Sequence, residues 1–348
     1  LFHRAEIVKR ITIIGGGLAG LTLGIALRRN DVPVALIEAG KYPRHRVCGE
    51  FISGSGLQLL ERLGLGEPLC ALESRAAQHT AFFSTRHHVG SHRLPEPALA
   101  VSRFVLDAAL ARTFQGLGGD LRQGERWQEK RFGEAVVCAA GRRPCATENG
   151  WRWFGLKAHA RNVALEADLE MHLSENAYVG LCQLVNGEVN VCGLFRRRVN
   201  ETAHGESMDW LRGEIGSRLF ARLEHAEFTQ ESFCAVAGLS LRSQPIHESE
   251  CRLGDALTMI PPITGNGMSM AFESAHLAVG PLTAYSRGDC SWQRTTAEIA
   301  RSLRRIFTRR LQWAGFLHRL IFSPVGAVML PLLFRCGPAW RASFALTR

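Results

Sequence analysis

Two hydrophobic rhythms alternate along the chain. Ile11 to Ile14 is a short apolar run, an apolar helical stretch follows, and Val34-Ala-Leu-Ile then ends in Glu38, a pattern of strand, helix and strand. Gly54 to Leu65 has helical spacing, with Leu57, Leu60 and Leu63 turned toward the core and Gly64 and Gly66 closing it. Gln78 to Arg93 alternates and is rich in Thr, Phe, Val and His, which predicts strands. Phe154 to His159, Ala167 to Leu173, Tyr178 to Val185 and Val189 to Phe195 give the clearest antiparallel signal, with Asn186-Gly187 as a hairpin turn. Their polar members Lys157, His159 and His172 are expected to face solvent. Met208 to Glu224 reads as a helix and Ser232 to Arg242 as a returning strand. Near the end, Ile299, Leu303, Ile306, Phe307, Trp313, Leu317 and Ile321 share one helical face, with Arg301, Arg304, Arg305 and Arg309 opposite.

The first turn carries chemistry. In Gly15-Gly-Gly-Leu-Ala-Gly20, Gly15 makes a tight turn, Gly17 lets backbone approach a pyrophosphate, and Gly20 lets helix and strand pack closely. The helix start offers unpaired N–H groups to phosphate. Glu38 lies 21 residues after Gly17, near the roughly 20 that place a carboxylate on a ribose hydroxyl. An acid there argues against a 2′-phosphate in this site.

A second element, Gly254-Asp255 through Gly265-Asn-Gly267-Met268, follows about 240 residues later. A plain nicotinamide site has no need of it, whereas FAD is long enough to reach both. Asp255 suits the ribityl chain. The Gly265 to Met268 turn opens a helix whose amides can face the flavin pyrimidine and stabilise negative charge on the reduced ring.

With these residues the chain resembles the p-hydroxybenzoate hydroxylase-like FAD superfamily, which holds aromatic hydroxylases, geranylgeranyl reductases and flavin-dependent halogenases. Its GxGxxG and GDxxxxxxPxxGxG signatures are present, the second including Pro262. Ala135 to Pro144 has the middle strand and glycine turn without the Asp-Gly pair of the hydroxylases. Tyr42-Pro-Arg-His-Arg-Val-Cys-Gly-Glu50 is similar to the geranylgeranyl reductase-like branch. That resemblance implies Cys48 near the isoalloxazine as the candidate catalytic residue, with Arg46 as an FAD contact. Ser102-Arg103 opens a segment similar to RxxLDxxL, which implies a further FAD contact at Arg103. The YxWxFP strand of the reductases is missing, and Trp151-Arg-Trp-Phe154 matches only half of the halogenase WxWxIP.

The expected fold class is α/β: a Rossmann-like FAD-binding domain with a parallel sheet, interleaved with an antiparallel-sheet substrate domain and followed by a C-terminal helical segment. Residues 1–70, 98–148 and 235–290 are assigned to the first, 71–97 and 149–234 to the second, and 291–348 to basic helices. The implied reaction uses FAD with NAD(P)H as electron donor on a lipophilic small molecule. Oxygen insertion into an aromatic or polyketide-type substrate is favoured, alkene reduction of an isoprenoid or other lipid is the alternative, and a noncatalytic FAD-fold binding protein is the third reading.

Composition adds bounds. The 348 residues, 46% hydrophobic and 21% charged, are enough for a sizeable core. Ten cysteines without a CxxC pair, and a charged start with no visible signal, predict reduced thiols and a cytoplasmic protein. His87, His88 and His92 lack acidic or cysteine partners in their strand-like run and are expected at the surface, so no metal set is predicted. Of the net charge of +10, the segment from Ser291 onward supplies +9, from ten arginines and the single acid Glu298. Leu320 to Phe334 is uncharged but interrupted by Pro324 and Pro331, and is shorter than the ~20 residues of a spanning helix. Residues 299–334 therefore either cap a substrate tunnel or touch a membrane peripherally. No nucleic-acid partner is expected, and the oligomeric state is open.

Overall fold

The structure is a computed structural model and describes residues 8–53, 55–129, 132–201 and 207–348. Gly54, the expected first residue of a helix, lies outside them. The chain opens with β1 (Ile11–Ile14), α1 (Leu18–Arg28) and β2 (Val34–Glu38), then β3 (Phe51–Ile52), α2 (Ser55–Arg62) and α3 (Gly66–Cys70). A long hairpin follows, β4 (Arg75–Phe83) and β5 (His88–Ala100), and then α4 (Arg103–Gly116), capped by the Ser102 hydroxyl, which accepts from Phe104 N–H. After β6 (Asp120–Gln123) and β7 (Val136–Cys138) come β8 (Trp151–Arg161), β9 (Leu169–Leu173), β10 (Ala177–Gln183) and β11 (Val189–Arg198). The remainder is α5 (Asp209–Arg212), α6 (Arg218–Leu223), β12 (Glu227–Ala237), β13 (Cys251–Arg252) and four helices, α7 (Gly267–Arg287), α8 (Trp292–Ile321), α9 (Pro324–Arg335) and α10 (Gly337–Leu346).

Two sheets result. One has five parallel strands in the order β13-β7-β1-β2-β6, with Ile13 between Leu36 and Val137. Every residue of β2 is buried, as expected for a parallel strand covered on both faces. The core around it joins α1, α4, α7 and α8. The other sheet has eight strands in the order β12-β8-β11-β10-β9-β4-β5-β3, antiparallel except for the β4–β9 pair. Asn186 and Gly187 both take positive φ, 56° and 72°, which fits a two-residue primed turn between β10 and β11.

Three expectations are corrected. The helix expected over Met208 to Glu224 is two short ones, because Gly213 and Gly216 sit at φ 78° and 82°, outside helical space. The strand expected over Ser232 to Arg242 ends at Ala237, where Gly238 turns the chain at φ 68°. Lys157, His159 and His172 are buried, at 0%, 4% and 4% exposure. Alternation places one strand face in water only when nothing covers it. Here residues 45–50 cover β8 from one side, and α6 covers the other face of the sheet through Arg222, which reaches Glu170 beside His172.

The C-terminal helices close the molecule. Ile299, Leu303, Phe307, Leu311, Ala314 and Leu317 form the buried stripe of α8, while Ile306 lies off it and is exposed. Ser323 caps α9, which departs from α8 at 87°. Leu330 and Phe334 of α9 are buried, and Val325, Val328, Met329 and Leu332 are exposed. No single described helix is long and apolar enough to cross a membrane.

Candidate active site

Gly15 sits at φ +100°, and a Cβ there would strike the Ala139 carbonyl, so β7 packs against bare backbone. A Cβ on Gly20 would strike the Gly15 carbonyl, which is why α1 lies so close to β1. At Gly17, the residue that caps α1, a Cβ would meet nothing within 4 Å. That empty space lies before a helix start whose first N–H groups have no intrahelical partner. Glu38, at the end of β2, accepts from Gly16 N–H and Gly40 N–H at 2.7 Å each, and pairs with Arg44 at 2.5 Å and Arg46 at 3.5 Å. Burial alone would raise its pKa; the Gly40 amide, the two arginines and the Gly16 amide outweigh it and lower the carboxyl.

Arg46 also reaches Asp107 at 3.2 Å, and Arg103 grips the same fully buried carboxylate with two bonds of 2.7 and 2.8 Å. Burial opposes the Arg103 charge, but Asp107 and Cys48 hold its pKa above the ordinary value. Burial pushes the Cys48 thiol up even beside Arg103, so the sulfur is a neutral part of the wall. In the second turn Gly254, at φ +57°, gives its N–H to Ser274 at 2.9 Å. Asp255 is open to the interior space yet enclosed by protein, and that enclosure raises its pKa against the pull of Arg103 and Arg142. Gly265, at φ +61°, packs its bare Cα on the Phe51 ring. Gly267 begins α7 with almost nothing around its missing Cβ.

Gly15, Gly17, Glu38, Arg46, Cys48, Arg103, Asp255, Pro262, Gly265, Gly267 and Met268 line one cavity of about 950 Å³. Gly20 alone of the expected residues stays outside, in its packing role. The residues present fit FAD: two bare helix starts face one space, and the Arg142 Nε, buried without a partner, lies beside Asp255. The volume is at the upper end of the roughly 300–1,000 Å³ usual for ligand sites.

Comparison with known proteins agrees. Residues 9–143 match the FAD binding domain family. That stretch carries the FAD-binding domain, and the chain as a whole shares its fold with flavin-dependent halogenases and a geranylgeranyl reductase-like protein. Its FAD-binding domain and mixed sheet together superpose on a flavin-dependent brominase with TM-score 0.76 at 16% identity, covering 97% of this chain and 93% of that one. A geranylgeranyl bacteriochlorophyll reductase-like protein from Thermoplasma acidophilum gives TM-score 0.72 at 16% identity, covering 97% and 96%. At such identities the likeness concerns the fold. In sequence, the squalene epoxidase of Aspergillus fumigatus is 25% identical over 312 residues, 75% of this chain and 64% of the relative. The chain spans slightly under two thirds of the length of the curated relatives it matches over most of its own sequence.

Sequence reasoning missed two groups. Arg142 follows the glycine of the Ala135 to Pro144 segment, and only the fold brings it beside Asp255. The other group is a largely buried cluster in the cavity wall, where His45 and Glu50 both border the space. Glu50 accepts from Ser102 Oγ and Arg103 N–H at 3.2 and 3.0 Å, meets His159 at 2.6 Å and lies 3.3 Å from the Lys157 ammonium. Lys157 in turn sits 3.0 Å from His45 Nδ1. Burial would raise Glu50, but His159 and Lys157 lower it; burial and Lys157 push His45 down to about 4. Ligand atoms of His45, Glu50 and His159 lie within 4.8 Å of one another, a metal-like set that spacing along the chain could not reveal. The Lys157 ammonium contacts two of the three and takes the place of a cation there.

Proposed function

We propose that this chain is the catalytic body of an FAD- and NAD(P)H-dependent monooxygenase that inserts one oxygen atom into a lipophilic substrate. The observation that carries this reading is the continuity of the cavity. Its glycine-lined polar part opens into an apolar part walled by Leu317, Ile321, Leu330, Phe334, Trp340 and Phe344 of the C-terminal helices. Similarity to a squalene epoxidase supports a substrate of the same apolar class.

FAD, when bound, supplies the electrons and the position at which oxygen is activated. Gly17 and the α1 start would hold its pyrophosphate, Glu38 a ribose, Asp255 the ribityl chain, and the α7 amides at Gly267 and Met268 the pyrimidine edge. Arg46 and Arg103 keep the cradle positively charged while Asp107 fixes their direction. The apolar helices exclude water, which oxygen transfer requires. Alkene reduction remains the second reading, because Cys48 lines the wall where a proton donor would stand. Its raised pKa makes it a weak acid at neutral pH, which favours oxygen insertion.

We further assign the outer face of α9 to an anionic membrane surface in the reducing cytoplasm. Val325, Val328, Met329 and Leu332 are exposed beside the arginine-rich α8, and the inner face of α9 walls the cavity. The central test uses protein reconstituted with FAD, NADH or NADPH, ¹⁸O₂ and a panel of lipophilic alkenes and aromatics. One ¹⁸O per product is expected. Oxygen-independent saturation of an alkene would replace this reading with the reductase, and protein that cannot be loaded with FAD would end both.

A further inference from the structure

We propose that Glu188, His159, Glu50, Lys157 and His45 form a proton path from the protein surface to the cavity wall. Glu188 is 30% exposed at its side chain and lies 3.6 Å from His159 Nδ1. The His159 ring spans to Glu50 through Nε2, Glu50 touches Lys157 through its other oxygen, and Lys157 meets Nδ1 of His45, which lines the cavity. Each gap is 3.6 Å or less. The three middle groups are buried.

Stability does not explain this cluster. Burying a lysine and a carboxylate costs several kcal/mol per ion before pairing repays it, and an apolar pair of similar volume is commonly as stable. Nothing in the cofactor cradle uses Lys157 or His159.

The reaction supplies the reason. Oxygen insertion, substrate–H + O₂ + NAD(P)H + H⁺ giving substrate–OH + H₂O + NAD(P)⁺, draws one proton from solution per turnover. Alkene reduction by NAD(P)H draws one as well, so the inference rests on the redox reading but not on which of the two reactions occurs. Helices that exclude water also exclude hydronium. Along the path, a proton passes from Glu188 to His159 Nδ1 as the Nε2 proton moves to Glu50. Glu50 passes one to Lys157 as Lys157 gives one to His45 Nδ1, and His45 releases its Nε2 proton to the cavity. Each group gains one proton and loses one, and no electrons move.

The charged neighbours are consistent with this. At the outer end Arg161 pairs with one Glu188 oxygen at 3.0 Å and leaves the other to His159, while Arg103 binds Glu50 through its backbone and directs its own charge at Asp107. Cys48, Cys182, Cys192 and Cys234 surround the cluster, and burial raises all four thiols, so they stay neutral.

Two measurements test the path. In FAD-free protein, ¹⁵N-imidazole NMR should show His45 neutral until the pH approaches 4, and Glu188→Gln should shift the signals of both His159 and His45. Signals of the two rings that respond independently, with Glu188→Gln moving neither or only one of them, would overturn the proposal. In loaded enzyme, Glu188→Gln should slow turnover about tenfold at alkaline pH without changing FAD affinity, and added imidazole buffer should restore it. An unchanged rate, or a loss that imidazole does not rescue, would also overturn it. If the wild type turned over no substrate, the proposed function would fail while the NMR result still judged the path.

Discussion

The two sheets meet one cavity with different materials. The parallel sheet and its helix starts offer mainly backbone: open space at Gly17 and Gly267, with two acids, Glu38, held by two amides and two arginines, and Asp255. The mixed sheet offers side chains, apolar toward the C-terminal helices and ionic in the Lys157, His159 and Glu50 cluster. Backbone recognition depends on conformation and is indifferent to pH, whereas the cluster depends on charge balance. Mutations in the two regions should therefore differ in kind.

The largest effect is expected on the ionic side. Lys157→Met leaves Glu50 buried with one fewer partner and should cost about 3–5 kcal/mol at pH 8. The deficit should shrink at pH 5, where the stranded carboxyl takes up a proton; urea unfolding at both pH values measures it. A deficit equal at both would place Lys157 in packing alone.

The glycines sharpen the contrast. Gly15→Ala forces a Cβ into the Ala139 carbonyl at positive φ, so FAD-free protein should lose about 1–3 kcal/mol at any pH. Gly17→Ala meets no atom, so its melting temperature without FAD should match wild type. The dissociation constant for FAD should nevertheless rise about 10- to 100-fold, or about 1.4–2.7 kcal/mol, by flavin fluorescence titration. Unaltered binding would remove Gly17 from the cradle.

Wild-type stability should fall as pH drops from 6.5 toward 4. His45 and His318 are held neutral, with pKa values lowered to about 4 from 6.5, so the unfolded chain binds more protons across that window. Glu38 and Glu50, both lowered, extend the loss below 4.5. Allowing for the partial exposure of His45, the two histidines should contribute about 3–5 kcal/mol, read from thermal melts. The smallest effect separates the two chemistries. Cys48→Ala should change turnover less than about threefold under oxygen insertion, whereas a reductase that needs its proton would lose about 100-fold or more.

The cradle was legible because its duties are local or repeat at fixed spacing. Gly15, Gly17 and Glu38 lie within one β-α-β unit, and Asp255 to Gly267 within one turn. The ionic cluster was not legible, because Glu50 meets His159 across 109 positions and alternation in β8 says nothing about what covers it. The short helices α5 and α6 show the same limit at smaller scale: apolar spacing over Met208 to Glu224 was helical, but Gly213 and Gly216 broke it. The C-terminal helices fell between the two. Their amphipathic stripe was readable, but not that Leu330 and Phe334 would wall the cavity.

The two sides of α9 have one more implication. Leu330 faces the interior and Val328 the outside, two residues apart on a cylinder about 10 Å across. A greasy molecule resting against the outer side is separated from the interior cavity by the thickness of that cylinder, a shorter trip than any detour through bulk water.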